Sequence, residues 1–449
     1  MSAPLAAAAG MVCSGCGAVP DAAEPFPFSC RNAGDGGDHV LRRVLDLSVL
    51  KFPQDDSEPD PFIRFRSFLY AYHVARAHGM RDEAFVALVR RLDAEVARVD
   101  GRGFSATPFA AWPTVGERVG LSGELWVKDE TGNVAGSHKA RHLFGLLLYL
   151  EVVEQLGLAG ASAHPDLAIA SCGNAALAAA VVAAAGRHRL HVFIPVDADP
   201  GIVARLTALG CVVHVCPREP DVPGDPTFAA LQAALATGAL PFTCQGSENG
   251  LAIEGGETIG YEMVAGLVEA GTALDDVVVQ VGGGALASAV AAAFAEAVTL
   301  GILPRAPRLH TVQTEGAWPL KRAYDLVAAR VPAGCGSARL RAVLRDAAHH
   351  RASFMWPWES EPRSIANGLL DDETHDWLAV VGAMLKTGGQ PVVVSEDALA
   401  RANLLAVEAT GIAVDPTGSA GLAGLSELRE RGAISPAARV ALLFTGVSR

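Results

Sequence analysis

From about residue 124 onward, short apolar runs alternate with alanine-rich stretches of helical length. "ELWVKDE", "DLAIAS", "LHVFIPV", "CVVHVC", "DDVVVQV", "RLHTVQTEG" and "ARVALLFTG" have the length and composition of strands. Among the intervening segments, "NAALAAAVVAAAG", "PGIVARLTALG" and "GGGALASAVAAAFAEAV" are helical in length and spacing. Strands that alternate with helices argue for a parallel sheet covered on both faces. Such sheets bind ligands at the carboxyl ends of their strands, so the turns after those strands are where chemistry is expected. Half of the 449 residues are hydrophobic but only 6% are aromatic, so alanine, valine and leucine carry the burial. That suits close helix–sheet packing, and the length allows two or three domains.

The region ahead of this alternation differs. Residues 1 to about 60 are turn-rich, with "AGDGGDH" and "FPQDDSEPDP" as loop signals. "FIRFRSFLYAYHVARAHGM" and "RDEAFVALVRRLDAEVARV" then show helical apolar spacing and predict a helical pair. A net charge of -13 without a basic cluster argues against nucleic acid. No strongly apolar stretch reaches about 18 residues, and the start lacks a basic leader, so neither membrane nor secretion is expected. A cytoplasmic protein is the resulting expectation.

Four turns stand out at strand ends. In "ETGNVAGSHKARH", Lys139 lies between a glycine-containing loop and the apolar run "LFGLLLYLEVVEQLG". Lysine is rarely buried, so it either reaches the surface or has chemistry to do as a desolvated amine. "SCGN", residues 171 to 174, precedes an alanine-rich helix whose first N–H groups suit an anion; a plain N-cap by Ser171 or Asn174 is the alternative. "VGGGAL", residues 281 to 286, lets backbone approach a phosphate at a helix start, though a generic tight turn is also open. "LLFTG" puts Thr445 at the end of the last strand, where a hydroxyl can meet a ring nitrogen. An amine, an anion loop, a phosphate cradle and a hydroxyl on one sheet suit pyridoxal phosphate (PLP), which carries an aldehyde, a phosphate and a pyridine nitrogen.

With these motifs in place, the chain resembles the fold-type II PLP enzymes, which include threonine synthase, threonine and serine dehydratases, cysteine synthase and the tryptophan synthase β chain. "WVKDETGNVAGSHKAR" is similar to their Lys-x-Glu … Gly-Ser-(Phe/His)-Lys-x-Arg segment, "SCGNAALA" to their Ser-x-Gly-Asn loop and "VGGGAL" to their glycine loop. "VQTEGA", "DPTGSAGLAGL" and "LLFTG" resemble the threonine synthase-like form. The likeness covers roughly residues 105 to 449. It implies an α/β fold of two open parallel-sheet lobes wrapped by helices, preceded by a partly helical N-terminal extension. The extension would be residues 1–105 and the catalytic region 106–449, with a smaller lobe roughly within 140–250.

The resemblance also implies roles. Lys139 would be the Schiff-base lysine and would move the substrate α-proton. Asn174 would hydrogen-bond the phenolic oxygen. Gly282, Gly283, Gly284, Ala285 and Leu286 would offer N–H groups to the phosphate, and Thr445 would meet the pyridine nitrogen. A neutral hydroxyl there leaves that nitrogen unprotonated, which favours elimination over transamination. Ser171, Cys172 and Gly173 would receive the substrate carboxylate. Departures bear on the substrate: Ala285 stands where many members carry a fourth glycine, Cys172 replaces Thr or Ser, and His138 precedes the lysine as in tryptophan synthase-like chains. "SIANGLL" resembles a dehydratase stretch.

These features lead to a lyase or synthase acting by β-elimination or β/γ-replacement on a small L-amino acid, with threonine/serine dehydratase-like chemistry placed first. The alternatives are threonine synthase-like γ-replacement on a phosphorylated homoserine, and a catalytically silent PLP- or effector-binding protein. Expected partners are the amino-acid substrate and further copies of the chain, as a homodimer or higher homo-oligomer. Among eight cysteines, Cys172, Cys211, Cys216, Cys244 and Cys335 are expected as core thiols. Cys13, Cys16, Cys30 and His39 offer four ligands for a structural zinc, with free thiols in a flexible leader as the alternative.

Overall fold

The computed structural model describes residues 9–21, 23–54, 57–160, 164–218, 225–332 and 334–448. Its strands are β1 (Ala9–Cys13), β2 (Leu41–Leu45), β3 (Phe109–Ala111), β4 (Leu125–Asp129), β5 (Leu167–Ala170), β6 (Leu190–Ile194), β7 (Val212–Val215), β8 (Leu240–Pro241), β9 (Asp276–Gln280), β10 (Arg308–Thr314), β11 (Pro391–Val394) and β12 (Val440–Phe444). Six form one sheet in the order β11-β10-β9-β12-β4-β3, parallel except for the β3–β4 edge. Four form an all-parallel sheet in the order β7-β6-β5-β8. Together they make an α/β fold with two parallel-sheet lobes covered by helices. Strand β9 is buried at all five positions, as a strand covered on both faces must be.

The helix Lys139–Gln155 joins the lobes. Every residue from Ala140 to Val153 is buried, which is why its sequence is apolar all round rather than striped. Helix Ala252–Glu269 lies against it closely enough that a Cβ on Gly255 would stand 2.1 Å from the Arg141 carbonyl oxygen. Glycine is required there. The charges buried between the two helices are paired: Arg141 reaches Glu130 (2.9 Å) and Glu262 (2.7 Å), and Lys128 of β4 pairs with Glu262.

Several sequence expectations are corrected. "FIRFRSFLYAYHVARAHGM" is not one helix but Pro61–Arg64, a 3₁₀ turn Arg66–Phe68 and Tyr70–Ala77, because Phe62, Ile63, Phe65, Phe68, Leu69 and Ala71 are all buried and on one straight helix they would point well over halfway round its circumference. The turn-rich leader contains the antiparallel pair β1–β2, whose short strands are far apart in sequence. Of the cysteines expected in the core, Cys244 is buried, Cys211, Cys216 and Cys335 are half-buried, and Cys172 is exposed, since it sits on a loop rather than in a strand. Among the described residues no helix is long and apolar enough to cross a membrane.

Candidate active site

Lys139 follows a backbone segment held in an unusual shape. Ala135 (φ 53) and Gly136 (φ 65) are both left-handed, a conformation costing a non-glycine residue about 1–2 kcal/mol. Asp100, at the end of the extension's helix Asp82–Asp100, accepts the Ala135 N–H at 2.9 Å and helps hold the loop. Ser137 then bridges to Gly446, beyond the end of β12. The His138 backbone N–H and its Nδ1 both donate to the Thr445 carbonyl at 3.1 Å. The first and fourth turns singled out in the sequence are thereby brought together.

Lys139 itself is half-buried, and its amine makes no hydrogen bond or ion pair among the described residues. Three imidazoles lie in its field. Burial drives His138 well below its ordinary pKa, His142 to about 3 and His375 to about 4, and the Lys139 charge adds to each shift. All three are neutral near pH 7, so the amine's immediate surroundings hold no imidazolium. An unpartnered, half-buried amine among neutral rings is placed to react rather than to stabilise the fold.

The glycine turn is covered by a segment that sequence reading missed. Thr374 Oγ1 donates to the Gly282 carbonyl (3.0 Å) and the Asp376 N–H to the Gly283 carbonyl (3.0 Å). Asp371 accepts a hydrogen bond from the Gly283 N–H. Burial pushes its carboxyl up to about 6, with the Lys139 charge working against that rise. A Cβ on Gly282 would stand 2.3 Å from Asp371 Oδ2 and 2.9 Å from the Gly368 carbonyl. Gly284 has φ 98 and caps the helix Ala285–Thr299. The turn therefore presents backbone to an anionic group, with a carboxylate now standing on one of its donors. "DDETHD" follows directly on the dehydratase-like "SIANGLL", and that adjacency was the available signal.

Asn174 opens the helix Asn174–Ala185, whose N-cap is Gly173 with no side-chain cap bond; the plain capping role considered for Ser171 and Asn174 does not apply. Its Nδ2 lies 3.5 Å from Asp415 Oδ2 and close to Gly446. Thr445 is buried, and Gln280 Nε2 donates to its hydroxyl at 2.8 Å. That bond uses an acceptor lone pair and leaves the hydroxyl proton to be donated elsewhere. Gln280 is the one polar residue that ends the otherwise apolar run "VVVQ", a second missed signal. Ala285 and Leu286 are buried at the helix start. Ser137 Oγ is buried without a partner, which leaves a polar group awaiting a ligand.

Residues 102–446 match the family model described as pyridoxal-phosphate dependent enzyme. The chain belongs to that family. It is 25% identical to threonine synthase of Methanocaldococcus jannaschii over 341 residues, covering 76% of this chain and 74% of the relative. Its fold matches that of the processed form of threonine deaminase isoform 2 from Solanum lycopersicum, with a TM-score of 0.58, 17% identity and coverage of 82% and 91% of the two chains. Diaminopropionate ammonia lyase from Escherichia coli matches with a TM-score of 0.59 and 16% identity, over 89% of this chain and 93% of that one. Membership implies PLP, and the residues present fit it: a glycine turn able to hold a phosphate, a hydroxyl with a proton to donate, an orphaned buried hydroxyl and an unpartnered amine.

Proposed function

We propose that this family member is an amino-acid lyase that eliminates a β-substituent from a small L-amino acid whose side chain carries no phosphate, in the manner of a threonine/serine dehydratase. Bound PLP supplies an aldehyde and an electron sink for charge developing at the substrate α-carbon. Lys139 would hold the cofactor and carry the α-proton. The backbone of Ser171, Cys172 and Gly173, at a helix N-terminus, would take the substrate carboxylate. Asn174 and Thr445 would hold the cofactor ring, and Gly282, Gly283, Gly284, Ala285 and Leu286 the phosphate. The Thr445 hydroxyl, oriented by Gln280, would donate without delivering a full positive charge to the ring.

One observation favours elimination over the threonine synthase-like reading. Charged groups acting on the substrate loop and its surroundings are mainly acidic: Asp197 and Asp225 face the Cys172 thiol, and Asp225, Asp371 and Asp372 lie together, against Lys139 and Arg218. A phosphorylated side chain would meet repulsion there. The test is to incubate the purified holoenzyme with threonine, serine, diaminopropionate and phosphohomoserine. Release of 2-oxo acid and ammonia from a phosphate-free substrate is expected. Phosphate release with threonine formation would select the synthase reading. A cofactor band that no amino acid perturbs would select the silent binding protein.

Asp371 supplies a separate prediction. A phosphate on the glycine turn competes with its carboxylate, which must then protonate or withdraw. With a pKa of about 6, protonation at pH 7 costs about 1.4 kcal/mol, or roughly tenfold in affinity. Asp371→Asn is therefore expected to bind PLP up to about tenfold more tightly at pH 7. The advantage shrinks as pH falls through 6, where the native residue is already protonated. Spectral titration of the apoenzyme measures this, and a pH-independent difference would place the phosphate away from Asp371.

A further inference from the structure

The extension carries a second constellation that the proposed reaction does not use. Cys13 ends β1, His39 precedes β2 across the hairpin, and Cys16 and Cys30 lie on the turns between. One donor atom from each of the four falls within 4.8 Å of every other. Cys16 Sγ lies 3.7 Å from Cys30 Sγ, and Cys13 Sγ lies 3.6 Å from His39 Nδ1. Bonds of about 2.3 Å to sulfur and about 2.0–2.1 Å to nitrogen give tetrahedral edges of about 3.8 Å between sulfurs and about 3.5 Å between sulfur and nitrogen. The observed separations match those edges.

The surroundings are those of a metal site as well. His39 Nε2 bonds Asp35 Oδ1 at 2.7 Å. A carboxylate can only accept, so the proton sits on Nε2 and Nδ1 presents its lone pair to the sulfurs. The Asn32 backbone N–H donates to Cys30 Sγ and its Nδ2 to Cys16 Sγ, both at 3.4 Å, which suits sulfur carrying negative charge. A tight turn closes the Cys13–Cys16 loop: Gly17 N–H donates to the Cys13 carbonyl at 2.9 Å, and Gly17 has φ 75. Cys13, Cys30 and His39 are buried and Cys16 is half-buried, so no open position faces solvent for catalysis.

We infer that Cys13, Cys16, Cys30 and His39 form a closed, structural zinc site that clamps the loops of the N-terminal extension together and so fixes the segment that carries Asp38 against the catalytic body. Three sulfurs and one imidazole in a tetrahedron suit zinc. On binding, three thiol protons pass to solvent and His39 coordinates neutral, so no oxidant or reductant is needed. The clamp has a direct mechanical consequence. Asp38, next to His39, accepts from Trp377 Nε1 at 2.8 Å, and its N–H donates to the Ala348 carbonyl at 2.7 Å. Trp377 follows Asp376, whose N–H holds the glycine turn. Loss of the metal therefore loosens the wall behind the cofactor's phosphate, a consequence that rests on the PLP reading while the metal site does not.

The test uses full-length protein purified under reducing conditions without a metal-affinity step. About one zinc per chain is expected by mass spectrometry of the metals. After chelation, cobalt(II) should give the intense visible bands of a tetrahedral thiolate site. Asp35→Ala should weaken zinc binding by about 10–100-fold, as removal of an outer-shell carboxylate does. His39→Cys should keep the metal and shift the cobalt spectrum, whereas the Cys16→Ser, Cys30→Ser double variant should lose it. Absence of metal together with a featureless cobalt titration of the native chain would overturn the site. So would a Cys16–Cys30 disulfide in the protein as isolated. Zinc bound to a protein that takes up no PLP would keep the clamp and remove the cofactor reading.

Discussion

Replacing Lys139 by alanine is expected to abolish the visible absorbance of lysine-bound cofactor and to lower turnover by about 10²–10⁴-fold from loss of proton transfer alone. The fold should survive. Alanine is the best helix former, and the lost amine makes no hydrogen bond or ion pair among the described residues, so the apoenzyme should unfold within about 0.5 kcal/mol of the native chain. That combination separates a reactive lysine from a structural one, whose removal would lower stability and spare the spectrum. Absorbance, steady-state rate and thermal unfolding of the apo-forms measure it. A lysine-bound band that survives in Lys139→Ala would remove this residue from its role.

The opposite outcome is expected two residues later. Arg141 is fully buried and makes ion pairs with Glu130 and Glu262, while Lys128 shares Glu262. Arg141→Met fills the space but leaves buried carboxylates short of their cation, which should destabilise the protein by about 3–5 kcal/mol. Lysine is no substitute, because its single ammonium cannot reproduce the forked contacts to both carboxylates. Burial alone would raise the Glu262 pKa, but Arg141 and Lys128 outweigh it and bring it down to about 2 from an ordinary 4.5. A lowered folded pKa contributes stability that is complete above 4.5 and lost as pH falls toward 2. Urea unfolding at pH 7 and pH 3 should therefore show a smaller penalty for the substitution at the lower pH. An equal penalty at both would mean that packing, not charge, carries the effect.

Much of the candidate site is legible in the sequence. Lys139 was legible because a lysine is out of place at the start of a helix apolar on every side, and the glycine turn because three glycines follow directly on a short valine-rich strand. Asp371, Thr374, His375 and Asp376 were not legible. They come from an irregular stretch whose path no periodicity determines. Gln280 and Ser137 were missed because their meaning lies in what stands opposite them: a Thr445 hydroxyl in one case, and no partner in the other. Cys172 was misplaced because a cysteine flanked by small and apolar residues looks like core when the loop's exposure is unknown.

Local order along the chain determined that strands and helices alternate, that the two large sheets are mainly parallel, and that the polar and glycine-rich turns of the candidate site fall at strand ends. Those properties depend on side-chain size and polarity over a few neighbours. Only the tertiary structure decided that Ser137 meets Gly446, that Asp371 stands on the glycine turn, and that Cys13, Cys16, Cys30 and His39 converge in the leader. The first two join residues 309 and 88 positions apart and the last gathers four residues spread over 26 positions, and the packing of whole elements sets such distances, not the preference of any one segment.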